Sequence, residues 1–291
     1  MNYRELPEIG DKQKEIVNLV FKFRFINRVQ MQKLFGHKDP SRINKWLKDL
    51  VEKKYLGRIY SHKLLENTKP AIYYLNNNGI IWVRYEKGME YGADNERLEF
   101  KYLKKFYEDK HASESFIKHC TTIFDFYIQF KEVEKKYKKK NLEYLFETKT
   151  ESWMLKQLYQ DGDGDFLKIR DIIPDAHIER VIETKDSFDE RSFFLILFDP
   201  HVPRYAIRYK VDEYIKFHED ENWSHVGLSS EFPTLLLIFP TQQKANQIGK
   251  YIKKQLENQF IENMTFMVTS YEKAINEGIG NNGIWERVKT A

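Results

Sequence analysis

The stretch DIIPDAHIERVIETKDSFDERSFFLILFDP, Asp171 to Pro200, decides how the second half of the chain folds. Two β-rich runs, at residues 172–182 and 191–198, flank the turn signal KDSFDE. The pattern predicts an antiparallel hairpin folded near residue 187. The stretch also holds residues suited to metal-assisted phosphodiester hydrolysis, which needs carboxylates converging on Mg²⁺ with a lysine close by. Pro174-Asp175 and Glu183-Thr184-Lys185 supply them in literal order. Along one strand, however, the eight residues from Asp175 to Glu183 span about 26 Å, too far to share an ion. A hairpin folded near 187 instead sets Asp175 approximately opposite Asp199. Leu197 stands two residues before Asp199 and His201 two after, so the lysine is expected from the following helix, at Lys210. The candidate catalytic set is Asp175, Asp199 and Lys210, with Asp175 and Asp199 as the metal pair.

Working outward, LEYLFET (residues 142–148) reads as a strand, and DGDGD (residues 161–165) as an exposed acidic turn. Its aspartates alternate as in a calcium loop, but the glycine and closing glutamate are misplaced for one. Downstream come a helix at about 206–218, the strand TLLLIF, a helix at 242–259 and a strand near 265–269. Three strands followed by alternating helices and strands predict an α/β domain with a mixed sheet. That order matches the core of the restriction-endonuclease-like fold.

The first third is patterned differently. Apolar side chains at Ile16, Val17, Leu19, Val20, Phe23 and Ile26 form a helical stripe over residues 12–26. In NRVQMQKLFG, Asn27 can cap, Gln30 completes a capping box and Gly36 can end the helix. In DPSRINKWLKDLVEKKYLG, Asp39 is suited to N-cap and Pro40 to N1. Ile43, Trp46, Leu47, Leu50 and Val51 then repeat at i, i+3, i+4, i+7 and i+8, which buries one face. The opposite face carries Ser41, Arg42, Asn44, Lys45 and Lys48, side chains that suit phosphates and base edges. LGRIYS and AIYYLN, joined by HKLLENTKP, predict a hairpin carrying Lys63 and Lys69. Three helices and such a hairpin make a winged helix-turn-helix, whose expected partner is double-stranded DNA.

Charge agrees with that division. Residues 1–100 carry 19 Lys+Arg against 13 Asp+Glu, and the remainder 29 against 31, so the basic surplus lies in the first third. Helices are expected at about 80–85, 97–110 and 112–140, the last ending in the basic run KKYKKK. The expected domains are 1–92, a helical connector 93–140 belonging to the second domain, and 141–291. His111 and His119 lack a third partner for a metal site. The single cysteine, Cys120, excludes an internal disulfide and fits a buried position. The longest apolar runs have six residues and the start of the chain is polar, so a cytoplasmic protein is expected.

The chain resembles the replication-relaxation family of plasmids and other mobile elements. The likeness rests on AIYYLNNNG, KHCTTIFDFYIQF, IPDAHI, FFLILFD with YKVDEYIKF, TLLLIFPTQQKANQIGKYIKK and GIGNNGIW, in that order. It implies a DNA-binding winged helix fused to a nuclease-like domain, acting in replication or DNA relaxation. Members resemble FFLE-x-D in the second hairpin strand. Here Leu197 takes the glutamate's place, which implies a lost metal ligand and a degenerate site unless Glu147, Glu151 or Glu179 substitutes. Three functions follow as expectations: a non-catalytic DNA-binding protein that forms homodimers or joins replication or conjugation proteins; a Mg²⁺-dependent nicking or relaxing enzyme; and a transcriptional regulator.

Overall fold

The computed structural model describes residues 3–60, 69–91, 103–137, 141–151, 172–183, 188–219 and 231–289. The first helix, α1 (Asp11–Phe23), buries the apolar stripe read from the sequence. It stops at Arg24, whose φ of 64° is incompatible with continuing a helix. Strand β1 (Ile26–Asn27) follows, and then α2 (Arg28–Phe35) opens on the expected capping box. The Asn27 side chain accepts from the Gln30 amide at 2.9 Å while Gln30 Oε1 accepts from the Asn27 amide at 3.1 Å. Gly36 closes α2 in the left-handed region, φ 68°.

Helix α3 (Ser41–Glu52) buries Ile43, Leu47 and Leu50. Pro40 is its N-cap residue rather than its first helical one. Asp39 still serves the end, because its carboxylate accepts from the Ser41 amide at 2.9 Å. Strands β2 (Leu56–Ile59) and β3 (Ile72–Leu75) form the expected hairpin. β1 adds to β3, giving an antiparallel sheet in the order β1-β3-β2. Gly57 pairs with Tyr74 and admits no side chain, since a Cβ there would lie 2.2 Å from the Tyr74 ring.

Helix α4 (Asn77–Tyr91) is longer than expected. The helix expected at 97–110 lies partly outside the described residues, and Lys104–His111 is a 3-10 helix. Helix α5 (Glu114–Lys136) is the long helix anticipated near 112–140.

The chain divides into two compact units, Met1–Ile128 and Gln129–Ala291. By this division α5 contributes to both units. The reason is packing: the first turns of α5 belong with the N-terminal helices. Phe116 meets Phe25, Phe124 meets Phe23, and the Gln30 amide donates to Thr121 O and Asp125 Oδ1 at 2.8 and 2.7 Å. Cys120 is buried on this helix.

The second unit is built on one mixed sheet, ordered β4 (Leu142–Thr148), β5 (Ala176–Glu183), β6 (Phe188–Leu197), β7 (Thr234–Phe239), β8 (Phe266–Ser270) and β9 (Glu286–Val288). β4, β5 and β6 are antiparallel; β6, β7 and β8 are parallel; β9 returns antiparallel. The parallel pairs are connected through α6 (Arg204–Glu219) and α7 (Gln242–Asn258). Phe194, Ile196, Leu235, Leu237, Phe266 and Val268 share one sheet face and join Val211, Tyr214, Ile248 and Ile252 of those helices in a single core. β7 lies between two parallel neighbours and is buried at five of its six positions, which explains its unbroken apolar run.

Candidate nucleic-acid interface and the hairpin carboxylates

On α3 the two faces separate as the periodicity requires. Ser41, Arg42, Asn44, Lys45 and Lys48 are exposed, opposite the buried Ile43, Leu47 and Leu50. Lys48 lies 3.8 Å from Glu52, whereas Arg42 and Lys45 make no ion pair among the described residues. Ser41 Oγ donates to Asp39 at 2.7 Å, and the two Ser41 hydrogen bonds hold the Asp39 carboxyl below its ordinary pKa. The α2–α3 turn is clamped by Phe35, His37 and Trp46, whose rings lie 5.7–6.5 Å apart. Behind α3, Gln13 Nε2 donates to Asp49 Oδ2 at 2.6 Å, tying α1 to α3. The helix thus offers a cationic ridge from a rigid base.

Of the two hairpin lysines, Lys69 is exposed, and Lys63 lies outside the described residues. The sequence pattern missed two further cations here. Arg58 is exposed on β2, and Arg28 opens α2; both lie close enough to Tyr73 of β3 to oppose the rise in its pKa that burial causes. A lone arginine in a four-residue strand carries no periodic signal, so only the strand pairing reveals this grouping.

The second unit contains the hairpin expected from the opening stretch, with a different register. Ala176 pairs with Leu195 and Glu183 with Phe188, so each β5 residue pairs three positions earlier on β6 than a fold at 187 would give. Asp175 therefore aligns with the Ile196 level, three residues short of Asp199. Its amide donates to Leu195 O at 2.9 Å, and its carboxylate accepts from the Leu197 amide at 2.7 Å. Leu197, read as the position of a lost ligand, contributes its backbone N–H to Asp175. Asp199 begins the bend into α6, its carbonyl accepting from Val202 N at 3.1 Å. Lys210 reaches the same end of the sheet, with Nζ 3.5 Å from Ile173 O. Tyr214 of α6 is fully buried, and burial first, then the Asp175 charge, pushes its hydroxyl well above the usual pKa.

Asp175, Asp199 and Lys210 thus lie at the edge where β6, β7 and β8 end, the edge at which parallel α/β sheets bind ligands. Among the described residues no group of three or more His, Cys, Asp or Glu is disposed to hold a metal ion. Asp175 also spends carboxylate acceptor capacity on the Leu197 amide. Lys185 and the DGDGD segment lie outside the described residues.

Register brings together a cluster that sequence reading did not find. His177, buried on β5, lies 2.7 Å from Ser192 Oγ through Nε2. Glu147 on β4 is 3.8 Å from its Nδ1, and Glu179 is 3.9 Å from Nε2. Glu147 and Glu179, two of the candidates to replace the glutamate absent at Leu197, thus flank His177. The His ring also packs edge-on against Phe194. The only signal in the sequence was the alternation of His177 and Glu179 along a strand, which says nothing of their partners.

Together these features define a mixed α and β chain, with helices around a small antiparallel sheet in one unit and a six-stranded mixed sheet in the other. The chain belongs to the replication-relaxation family, which matches residues 18–229. No curated protein and no solved structure matches the chain. The match covers α3, the carboxylate hairpin and α6 and ends before β7, so TLLLIFPTQQKANQIGKYIKK and GIGNNGIW lie beyond it. Among the described residues no helix is long and apolar enough to cross a membrane.

Proposed function

We propose that this chain is a replication-associated protein that binds double-stranded DNA through its first unit, working as a winged helix. The observation that carries the reading is α3: five exposed polar or basic side chains opposite a fully buried face, on a helix clamped to α1 and α2. The order α1-β1-α2-α3-β2-β3 supports it, because it presents α3 to the major groove and the β2–β3 hairpin, with Lys69 and Arg58, to the flanking backbone. Lys63 is a further candidate in that hairpin. Family membership favours the DNA of a replicating plasmid or other mobile element as the site of action, with a second copy or replication and conjugation proteins as partners. The second unit is read as a degenerate restriction-endonuclease-like domain in which Asp175 braces the hairpin through the Leu197 amide.

A gel-shift series at rising salt tests this. The protein should bind duplex DNA with an affinity that falls steeply with salt. Binding that is absent, or indifferent to salt, rejects the proposal. Sites mapped in cells should fall at a replication or transfer origin; a distribution over promoters favours a transcriptional role instead. Incubation of supercoiled plasmid with Mg²⁺ should leave its topology unchanged.

A further inference from the structure

The face of the sheet opposite α6 and α7 holds a cavity of about 450 Å³ within the second unit. Three arginines line it, Arg180, Arg191 and Arg287. Arg180 and Arg191 sit directly across from each other on β5 and β6. Like charges in that position repel, so the pairing needs an anion. Asp189 supplies one for both, at 2.5 Å from Arg180 and 3.5 Å from Arg191. Arg287 of β9 has only a hydroxyl, Thr265 Oγ1 at 3.4 Å, as a partner among the described residues. One carboxylate therefore serves two of the three guanidinium groups. Arg180 Nε, moreover, is buried with no hydrogen-bond partner among the described residues.

Aromatic rings line the cavity too: Tyr144, which pairs with Arg180, has its ring centre 4.8 Å from that of Phe130, and Trp285 precedes β9. The Trp285 indole N–H donates to Ile279 O at 3.0 Å, which fixes the ring. Asn282 adds a polar residue to the lining.

We propose that this cavity binds a phosphorylated nucleoside, with the phosphate at the Arg180–Arg191 pair and the base against Tyr144 and Phe130 beside it. Guanidinium pairs match phosphate oxygens bidentately. Aromatic rings hold a base by stacking. The volume falls within the range of small-ligand sites. The ligand can come from two sources, a free nucleotide or the 5′-phosphorylated end of a DNA strand, which share this chemistry. The site is separate from α3 and does not depend on the duplex-binding reading.

Calorimetric titration of the full chain distinguishes the outcomes, with AMP, adenosine and a 5′-phosphorylated single-stranded oligonucleotide as probes. AMP, the phosphorylated oligonucleotide or both should bind, and adenosine at least tenfold more weakly. Binding of the oligonucleotide alone assigns the site to strand ends. Arg191→Gln should weaken the phosphorylated probe at least tenfold while duplex gel shifts stay as in the wild type. Arg180→Gln provides the same test if Arg191→Gln does not fold. The proposal fails if neither phosphorylated probe binds, if adenosine binds equally well, or if a folded variant binds as the wild type does.

Discussion

Helix α3 and the β5–β6 hairpin both carry charged residues that look functional, and the structure treats them in opposite ways. On α3 the cations project from the helix, and Arg42 and Lys45 are left without ion pairs among the described residues. At the hairpin the acids are engaged from within: Asp175 takes the Leu197 amide, and Glu147 and Glu179 flank a buried histidine. A residue available for a ligand differs from one already used by the fold in where its hydrogen bonds end. That difference cannot be read from residue type.

The comparison can be broken most severely in the core beneath the hairpin. Phe194 is fully buried and packs against His177 and Tyr214. Phe194→Ala should cost about 3–5 kcal/mol in the second unit by denaturant melting. An intact duplex gel shift in the same variant would show that α3 acts independently; joint loss would show that it does not. Next in size, Arg42→Ala with Lys45→Ala should weaken duplex binding about tenfold or more and reduce the salt slope by roughly one to two. Melting should shift by less than about 0.5 kcal/mol. Unchanged affinity would remove α3 from the interface.

Asp175→Ala should cost about 1–3 kcal/mol, because the Leu197 amide loses its acceptor, and Asp175→Asn should cost less by retaining one. If the wild-type protein nicks plasmid with Mg²⁺ and Asp175→Asn does not, the carboxylate is catalytic and the contrast with α3 disappears. The smallest effect is a matter of pH. Burial raises the pKa of Asp125 above its ordinary value, against the Gln30 hydrogen bond and the Lys33 charge. A raised folded pKa means that this group's stabilisation is full below the unfolded value of about 4 and is lost as pH rises through the folded value. Asp125→Asn should therefore lessen the decline in the first unit's stability from about pH 4 upward. Parallel pH–stability curves for the two proteins would remove the effect.

Legibility followed the range of the interactions. The α2 boundaries were readable because Asn27, Gln30 and Gly36 act within a turn of one another. The buried face of α3 was readable from period alone. β1 and β9, two and three residues long, fall below any periodic signal and exist because β3 and β8 offer them partners. The hairpin itself was legible, but its register was not. A turn assumed at residue 187 shifts every pair by about three residues, enough to replace the Leu197 amide with the Asp199 side chain opposite Asp175. The Arg24–Asp109 ion pair joins residues 85 apart and left no local trace. The arginine cavity draws on β4, β5, β6, β9 and α5, so no segment of sequence announces it.

The family match ends at residue 229, but hydrogen bonding in the sheet does not. Phe193 through Leu197 pair along β7, and the apolar side of α6 packs in a core shared with α7. Cutting the chain where the match stops would turn β6 from an interior strand into a long, hydrophobic edge, open to pairing with other chains. The matched segment is thus not a portable module. It depends on some sixty further residues, β7 to β9, to complete its sheet.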